Sequence, residues 1–241
     1  MTNELMILNI IRFITGSLVL LYASYTDIKT RRAANYLWVI IGGVGTILLI
    51  IQYIMIGFDN IFMLIFIPLF IGLMYLLFQL RVIFGGADAK AFMALAILVP
   101  IQPLIASFPI LDSGPITMPG SWIIFSNSVL LFLIIPISLL IYNTIKRNLQ
   151  FPYCLLGYQT SVERARQTFV WPLEKIVDGK RKFSYKPQEE DIEEHLKKFD
   201  EQGIKTLWVT PKIPFMIPML AGFITTFILG DLLSALIYSL V

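Results

Sequence analysis

Six stretches of this chain are long and apolar enough to cross a lipid bilayer, and that restricts the fold more than any other feature. They are 5–26, 36–58, 61–80, about 89–107, 121–145 and 213–240, and the only charges inside them are Arg12, Lys90 and Asp231. A spanning helix needs about 20 mostly apolar residues. In hydrocarbon each backbone N–H and C=O must find its partner within the protein, which leaves the helix as the natural solution for segments of this length. The fold class expected is an α-helical integral membrane protein with six transmembrane helices. Apolar residues at 57% and charged residues at 15% agree with it. The first stretch reads as a permanent helix and not as a cleaved signal peptide. Glu4 precedes it, its apolar run is too long, and no small-x-small site follows. Pro100 and Pro103 are expected to shorten the fourth helix, and Pro68, Pro136 and Pro218 to kink others.

Alternating spans put the linkers 27–35, 81–90 and 146–212 on one side of the membrane. Of the 19 lysines and arginines, all but Arg12 fall on that side. Positive residues near span ends stay on the cytoplasmic face, so this is the cytoplasmic side of a cell-membrane, multi-pass protein. The division expected is a membrane core 1–145 with helices 1 to 5, a cytoplasmic α+β domain 146–212, and a sixth helix in 213–241.

The 146–212 insert has its own pattern. KIVDGKRKFSY carries Asp178-Gly179 between strand-like runs, a hairpin signal. PQEEDIEEHLKKF follows, with Ile192, Leu196 and Phe199 on one helical face, acids first and lysines last. Gly203 stops that helix, and IKTLWVT reads as a strand.

Several function classes are disfavoured at once. A net charge of +3, localised as above, is no nucleic-acid footprint. With one cysteine (Cys154) and one histidine (His195), the chain offers neither an internal disulfide nor a Cys/His zinc cluster. Cys154 reads as an inert thiol and His195 as a surface residue.

The orientation also brings two carboxylates to one depth. Asp27, in YASYTDIKTRRAANY, closes the first span at its cytoplasmic end, and Asp88, in FGGADAK, lies just beyond the third. Two acids brought within a few ångströms cannot both ionise cheaply and tend to share one proton. The charged member can then activate water while the neutral one donates to a carbonyl oxygen. That is the division of labour of aspartic proteases, and it needs no cofactor, metal or nucleophilic side chain. Gly85 and Gly86 would let the backbone leave helical geometry and admit another chain, and Ala87 is too small to block it. A helix starting near Asp88 would favour its ionised form, and Lys90 could do the same or reach lipid phosphate. Read singly, Asp88 is an ordinary helix cap, and Asp27 an interfacial charge beside Lys29, Arg31 and Arg32. Their joint placement favours a dyad.

At these residues the chain resembles a known family. GGAD with Lys90, together with SYTDIKTRRAANY, is similar to the two catalytic motifs of the GxGD intramembrane aspartyl proteases, in the type IV prepilin peptidase branch that includes archaeal preflagellin (prearchaellin) peptidases. The resemblance covers the motifs and the six-helix layout, and 146–212 contributes little to it. It implies that Asp27 and Asp88 are catalytic, and that the substrate is a flagellin or pilin-like precursor whose short basic leader is removed on the cytoplasmic side. It also implies a free state with the aspartates apart that closes before catalysis. Ala87 departs from the family pattern, which has glycine there. No cysteine-rich domain of the kind associated with methyltransferase activity is present, so peptidase activity without methylation is expected.

A proton-coupled small transporter using the same two aspartates is the main rival. It predicts acids near the bilayer midplane and inverted repeats, and no repeat is visible. A membrane anchor for 146–212 is a third reading. Two further acidic features invite roles: the cluster Glu189, Glu190, Asp191, Glu193 and Glu194 as an attractor for a basic leader, against a plain exposed helix start, and Asp231 as an interfacial or packing residue paired with Arg12.

Overall fold

The computed structural model describes residues 3–58, 61–83, 85–111, 118–177, 179–184 and 192–240. In chain order the elements are α1 (Asn3–Thr30), α2 (Asn35–Met55), a 3-10 turn (Ile61–Ile65), α3 (Phe66–Gln79), α4 (Gly86–Leu98), α5 (Gly120–Phe132), α6 (Ile134–Ile145) and α7 (Tyr153–Leu156). Then come β1 (Tyr158–Ser161), α8 (Val162–Gln167), β2 (Val170–Pro172), β3 (Glu174–Val177), β4 (Lys180–Phe183), α9 (Ile192–Glu201), β5 (Thr206–Pro211), α10 (Met216–Ile228) and α11 (Leu232–Leu240). The chain divides into two compact units, residues 1–132 with 214–241, and 133–213.

The first unit is a helical bundle whose outside is as apolar as its inside. Leu18, Leu21, Val39, Ile54 and Leu69 are exposed, while Leu20, Ile41, Met74, Leu95 and Phe223 are fully buried. Exposed apolar belts on helices long enough to cross a bilayer are what a membrane protein presents to lipid. Where lipid removes most of the hydrophobic gain from helix association, close backbone approach at small residues takes over. Three glycines show this. A Cβ at Gly45 would fall 2.7 Å from the Leu98 nitrogen, fixing α2 against α4, and one at Gly222 would fall 2.6 Å from the Ser128 nitrogen, fixing α10 against α5. A Cβ at Gly16 would run into the Phe223 ring, which seats α1 on α10. The Ser24 hydroxyl donates to the Met216 carbonyl at 3.0 Å and ties the same two helices nearer the other end of α1.

Among the described residues, four helical stretches are long and apolar enough to span a membrane: Asn3–Thr30, Asn35–Met55, Ile61–Gln79 and Gly120–Ile145. A fifth is obtained if α10 and α11, bent by 63°, form one broken span. The fourth expected span does not reach that length. Its helix, α4, has 13 residues, about 20 Å at 1.5 Å per residue, against a hydrocarbon core of about 30 Å. It stops because Pro100 disfavours helical backbone at the residue before it, and Val99 indeed lies at φ −129°, ψ 70°.

Two of the prolines expected to kink helices stand just past a break: the 3-10 turn gives way to α3 two residues before Pro68, and α5 and α6 part at Leu133, three residues before Pro136. Pro218 lies in the first turn of α10, where a missing N–H costs least. The break in the last span is instead at Gly230, with φ +98°. Asn127 of α5 mends it: its amide donates to Thr226 Oγ1 at 3.1 Å and to the Gly230 carbonyl at 2.8 Å, and its oxygen accepts from the Leu232 N–H.

Asp231 does not pair with Arg12. Its carboxylate accepts from the Leu233 and Ser234 N–H groups and the Ser234 hydroxyl, so it caps α11, where the N-terminal amides favour a carboxylate. Arg12 instead donates to Asn9 and Gln52.

The second unit contains α6 to α9 and two small antiparallel sheets, one ordered β1-β5-β2 and the other the β3–β4 hairpin. Gly179 turns that hairpin with φ +71°, and Gly203 ends α9 with φ +68°. Asp178 lies outside the described residues. The IKTLWVT strand is the centre of the three-stranded sheet, and Leu196 and Phe199 of α9 pack with Val162, Leu207 and Val209. β1 and β2, of four and three residues, are too short to announce themselves by alternation. Of the acidic cluster, Glu189, Glu190 and Asp191 lie outside the described residues. Glu193 pairs with Arg166 at 3.1 Å and Glu194 with Lys198 at 3.4 Å. Cys154 is buried as a free thiol. His195 is partly buried, its Nε2 2.9 Å from the Glu174 carbonyl.

Candidate active site

Three helix ends of the first unit meet around a cleft of about 720 Å³. The last turn of α1 supplies Asp27, the start of α2 supplies Asn35, and the first turn of α4 supplies Asp88. The end of α1 is fixed by its own chemistry. The Arg31 N–H still bonds to the Asp27 carbonyl at 3.0 Å, while Arg31 itself, at φ 56°, turns the chain out of the helix. Ala34 then takes extended backbone and α2 begins.

At α4 the N-cap is Gly85, extended at φ −86°, ψ 107°. Asp88 is therefore not the cap but the third residue of the helix, within its first turn. Neither Gly85 nor Gly86 has a positive φ, so backbone freedom is not what position 85 requires. It requires space: a Cβ on Gly85 would overlap Asp88 Oδ2. The carboxylate lies back over the start of its own helix. A Cβ on Gly86 would meet only Phe78, at an ordinary 3.4 Å. Lys90 Nζ donates to Asn35 Oδ1 at 3.0 Å and so joins the beginnings of α4 and α2.

Every residue singled out in the sequence for this site, Asp27, Gly85, Gly86, Ala87, Asp88 and Lys90, lines this one cleft. Asp27 lies near enough to Asp88 to act on its carboxyl electrostatically, and Arg31 acts on Asp27 in the same way. Residues to which sequence reasoning gave no part in the site also line it: Tyr22, Thr30, Asn35 and Tyr36, together with Arg31 and Arg32, which it set beside Asp27 only as neighbouring charges. All but Tyr22 stand in TRRAANY, directly after Asp27, so the signal was the motif's own tail. A cleft of this size, with two acids on opposed helix ends at the end of an apolar bundle, has room for water and for an extended peptide.

Comparison with known proteins gives two family matches: residues 14–145 match the type IV leader peptidase family, and residues 149–232 match the archaeal peptidase A24 C-terminus, type II. The chain is 30% identical to the preflagellin peptidase of Methanococcus voltae, over 94% of this chain and 98% of that protein. It is 26% identical to that of Methanococcus maripaludis over 92% of this chain and 96% of the relative. It is 28% identical to that of Methanocaldococcus jannaschii over 92% and 94%. The matched 14–145 stretch includes both helix ends that carry the cleft's acids, and the resemblance read from GGAD and SYTDIKTRRAANY stands: this membrane protein belongs to the type IV leader peptidase family.

Proposed function

We propose that the chain is a membrane aspartyl endopeptidase that removes the short basic leader from preflagellin or prepilin-like precursors, with Asp27 and Asp88 as its acid and base. The observation that carries this is that both aspartates line one cleft, in a chain whose relatives of near-full length are preflagellin peptidases.

The chemistry follows from a shared proton. One aspartate, ionised, takes a proton from a water whose oxygen attacks the scissile carbonyl carbon. The other, neutral, gives its proton to the carbonyl oxygen, forming a tetrahedral diol. As the diol collapses, one of its O–H protons passes to the ionised aspartate while the neutral aspartate protonates the nitrogen, the C–N bond breaks, the amine leaves, and the dyad again holds a single shared proton. No cofactor enters the cycle. Gly85 gives the Asp88 carboxylate its place, and Lys90 with Asn35 holds α4 against α2.

In this reading the cleft faces the cytoplasm in a six-span cell-membrane protein, with α4 inside the bundle as the fourth pass and the 146–212 domain on the same side. The apolar segment of the precursor stays in lipid while its cleavage site reaches the cleft in extended form. Arg31, Arg32 and Lys90 outnumber the two acids in the cleft, so it offers no net attraction to a basic leader. The basic residues would then lie outside it during cleavage. A transporter would want its acids near mid-membrane, whereas Asp27 and Asp88 stand at helix ends.

The test is to incubate membranes holding the chain with a precursor bearing a basic leader and to weigh the products. One cut at the leader boundary with an unmethylated new N-terminus is the expected result. An intact precursor, under conditions where a relative cleaves it, would contradict the proposal.

A further inference from the structure

Arg12 lies in the middle of an apolar helix and is 3% exposed. Its Nη1 donates to Asn9 Oδ1 and its Nη2 to Gln52 Oε1, both at 2.8 Å. Asn9 in turn donates to the Leu104 carbonyl at 2.9 Å, which fixes its oxygen towards the guanidinium. Both acceptors are neutral, no carboxylate pairs with Arg12 among the described residues, and its Nε–H is buried with no partner. A buried cation with only amide oxygens around it keeps most of its desolvation cost, and an intramembrane arginine is ordinarily matched by an anion or a functional ligand.

Space for one is present. Arg12, Asn9, Gln52 and Gln102 line a cavity of about 500 Å³ whose remaining wall is largely apolar, with Leu5 and Met63 among its side chains. It shares no lining residue with the aspartate cleft. Arg12 and Asp27 are fifteen residues apart on one continuous helix, about 22 Å at 1.5 Å per residue. Water could satisfy the Nε–H but not the charge. A tetrahedral oxyanion in the cavity that Arg12 lines would balance that charge, because the planar guanidinium presents paired N–H groups that bind two oxygens of one phosphate.

We propose that this cavity is a phosphate-binding site, filled by the headgroup of a phospholipid or by free phosphate. The apolar wall suits the first source, since it can take the start of an acyl chain.

The full-length protein, delipidated in a neutral detergent, would be titrated with phosphatidylglycerol, diacylglycerol and inorganic phosphate, with binding read by native mass spectrometry. Arg12→Gln removes the cation, and Met63→Trp fills the cavity while leaving Arg12, Asn9 and Gln52 in place, so a folding failure of the first leaves the second to decide. The expected result is phosphatidylglycerol bound at least tenfold more tightly than diacylglycerol, with that preference lost in both variants. Inorganic phosphate bound by the parent and lost in both variants, without a lipid preference, would support the site and assign it to free phosphate. No preference for either phosphate probe in the parent, or one that survives Met63→Trp, would overturn the site.

Discussion

Gly85 leaves open the one place where a Cβ would overlap Asp88 Oδ2, so the residue that caps α4 also sets where the acid inside it can point. Gly85→Ala should displace the carboxylate. A misplacement of about 1 Å in a reacting group can cost on the order of 10²-fold in rate, and a fall of that size in kcat is expected. Gly86→Ala, whose Cβ would sit in ordinary contact with Phe78, should stay within a few-fold of the parent. Steady-state cleavage of a precursor peptide by the two variants measures the contrast, and equal loss in both would contradict it.

The Lys90–Asn35 hydrogen bond joins the two helix starts that border Asp88. It lies at an exposed position, where such a bond contributes about 0.5–1.5 kcal/mol. Lys90→Met and Asn35→Ala should each lower kcat/KM by about threefold to tenfold. The double variant should be no worse than the weaker single one, because both remove the same bond. Additive losses would show that the two residues act separately.

Asp231 is 2% exposed and holds the first turn of α11 through two N–H groups and the Ser234 hydroxyl. Asp231→Ala should cost about 1–2 kcal/mol of stability as a lost helix cap, while cleavage per folded molecule is unchanged. Asp231→Asn, which can still accept from the N–H groups, should recover most of the loss. Thermal unfolding in detergent alongside an activity assay reads both quantities, and a large activity defect in a stable Asp231→Asn protein would place this residue in the chemistry.

The apolar segments and the two acids were legible in the sequence because each depends on local composition: runs of lipid-compatible residues, and carboxylates placed beside them. What escaped depends on long-range contact. Arg12 could not be assigned to Gln52, forty residues away, and its pairing with Asp231 was the natural guess for two intramembrane charges. The sharp bend at Gly230 is tolerable only because Asn127, about a hundred residues earlier, bonds to both sides of it. FGGADAK supplies part of the cleft wall, as expected, but for a different reason. Its glycines suggested backbone freedom, whereas Gly85 is needed for the volume of a carboxylate three residues on, which only the side-chain geometry reveals. The short α4 was foreshadowed by Pro100, but its length set against the membrane was not.

Whether Asp27 and Asp88 act as one catalytic unit, as proposed, is measured most directly by the single-turnover cleavage rate of purified Asp27→Asn, Asp88→Asn and the double variant, reconstituted in lipid. Groups that act as a unit lose activity together. Each single variant should fall by at least about 10³-fold, and the double variant should be no slower than either, with all three unfolding at the temperature of the parent. Retention of more than about a tenth of the parent rate by either single variant would contradict a dyad.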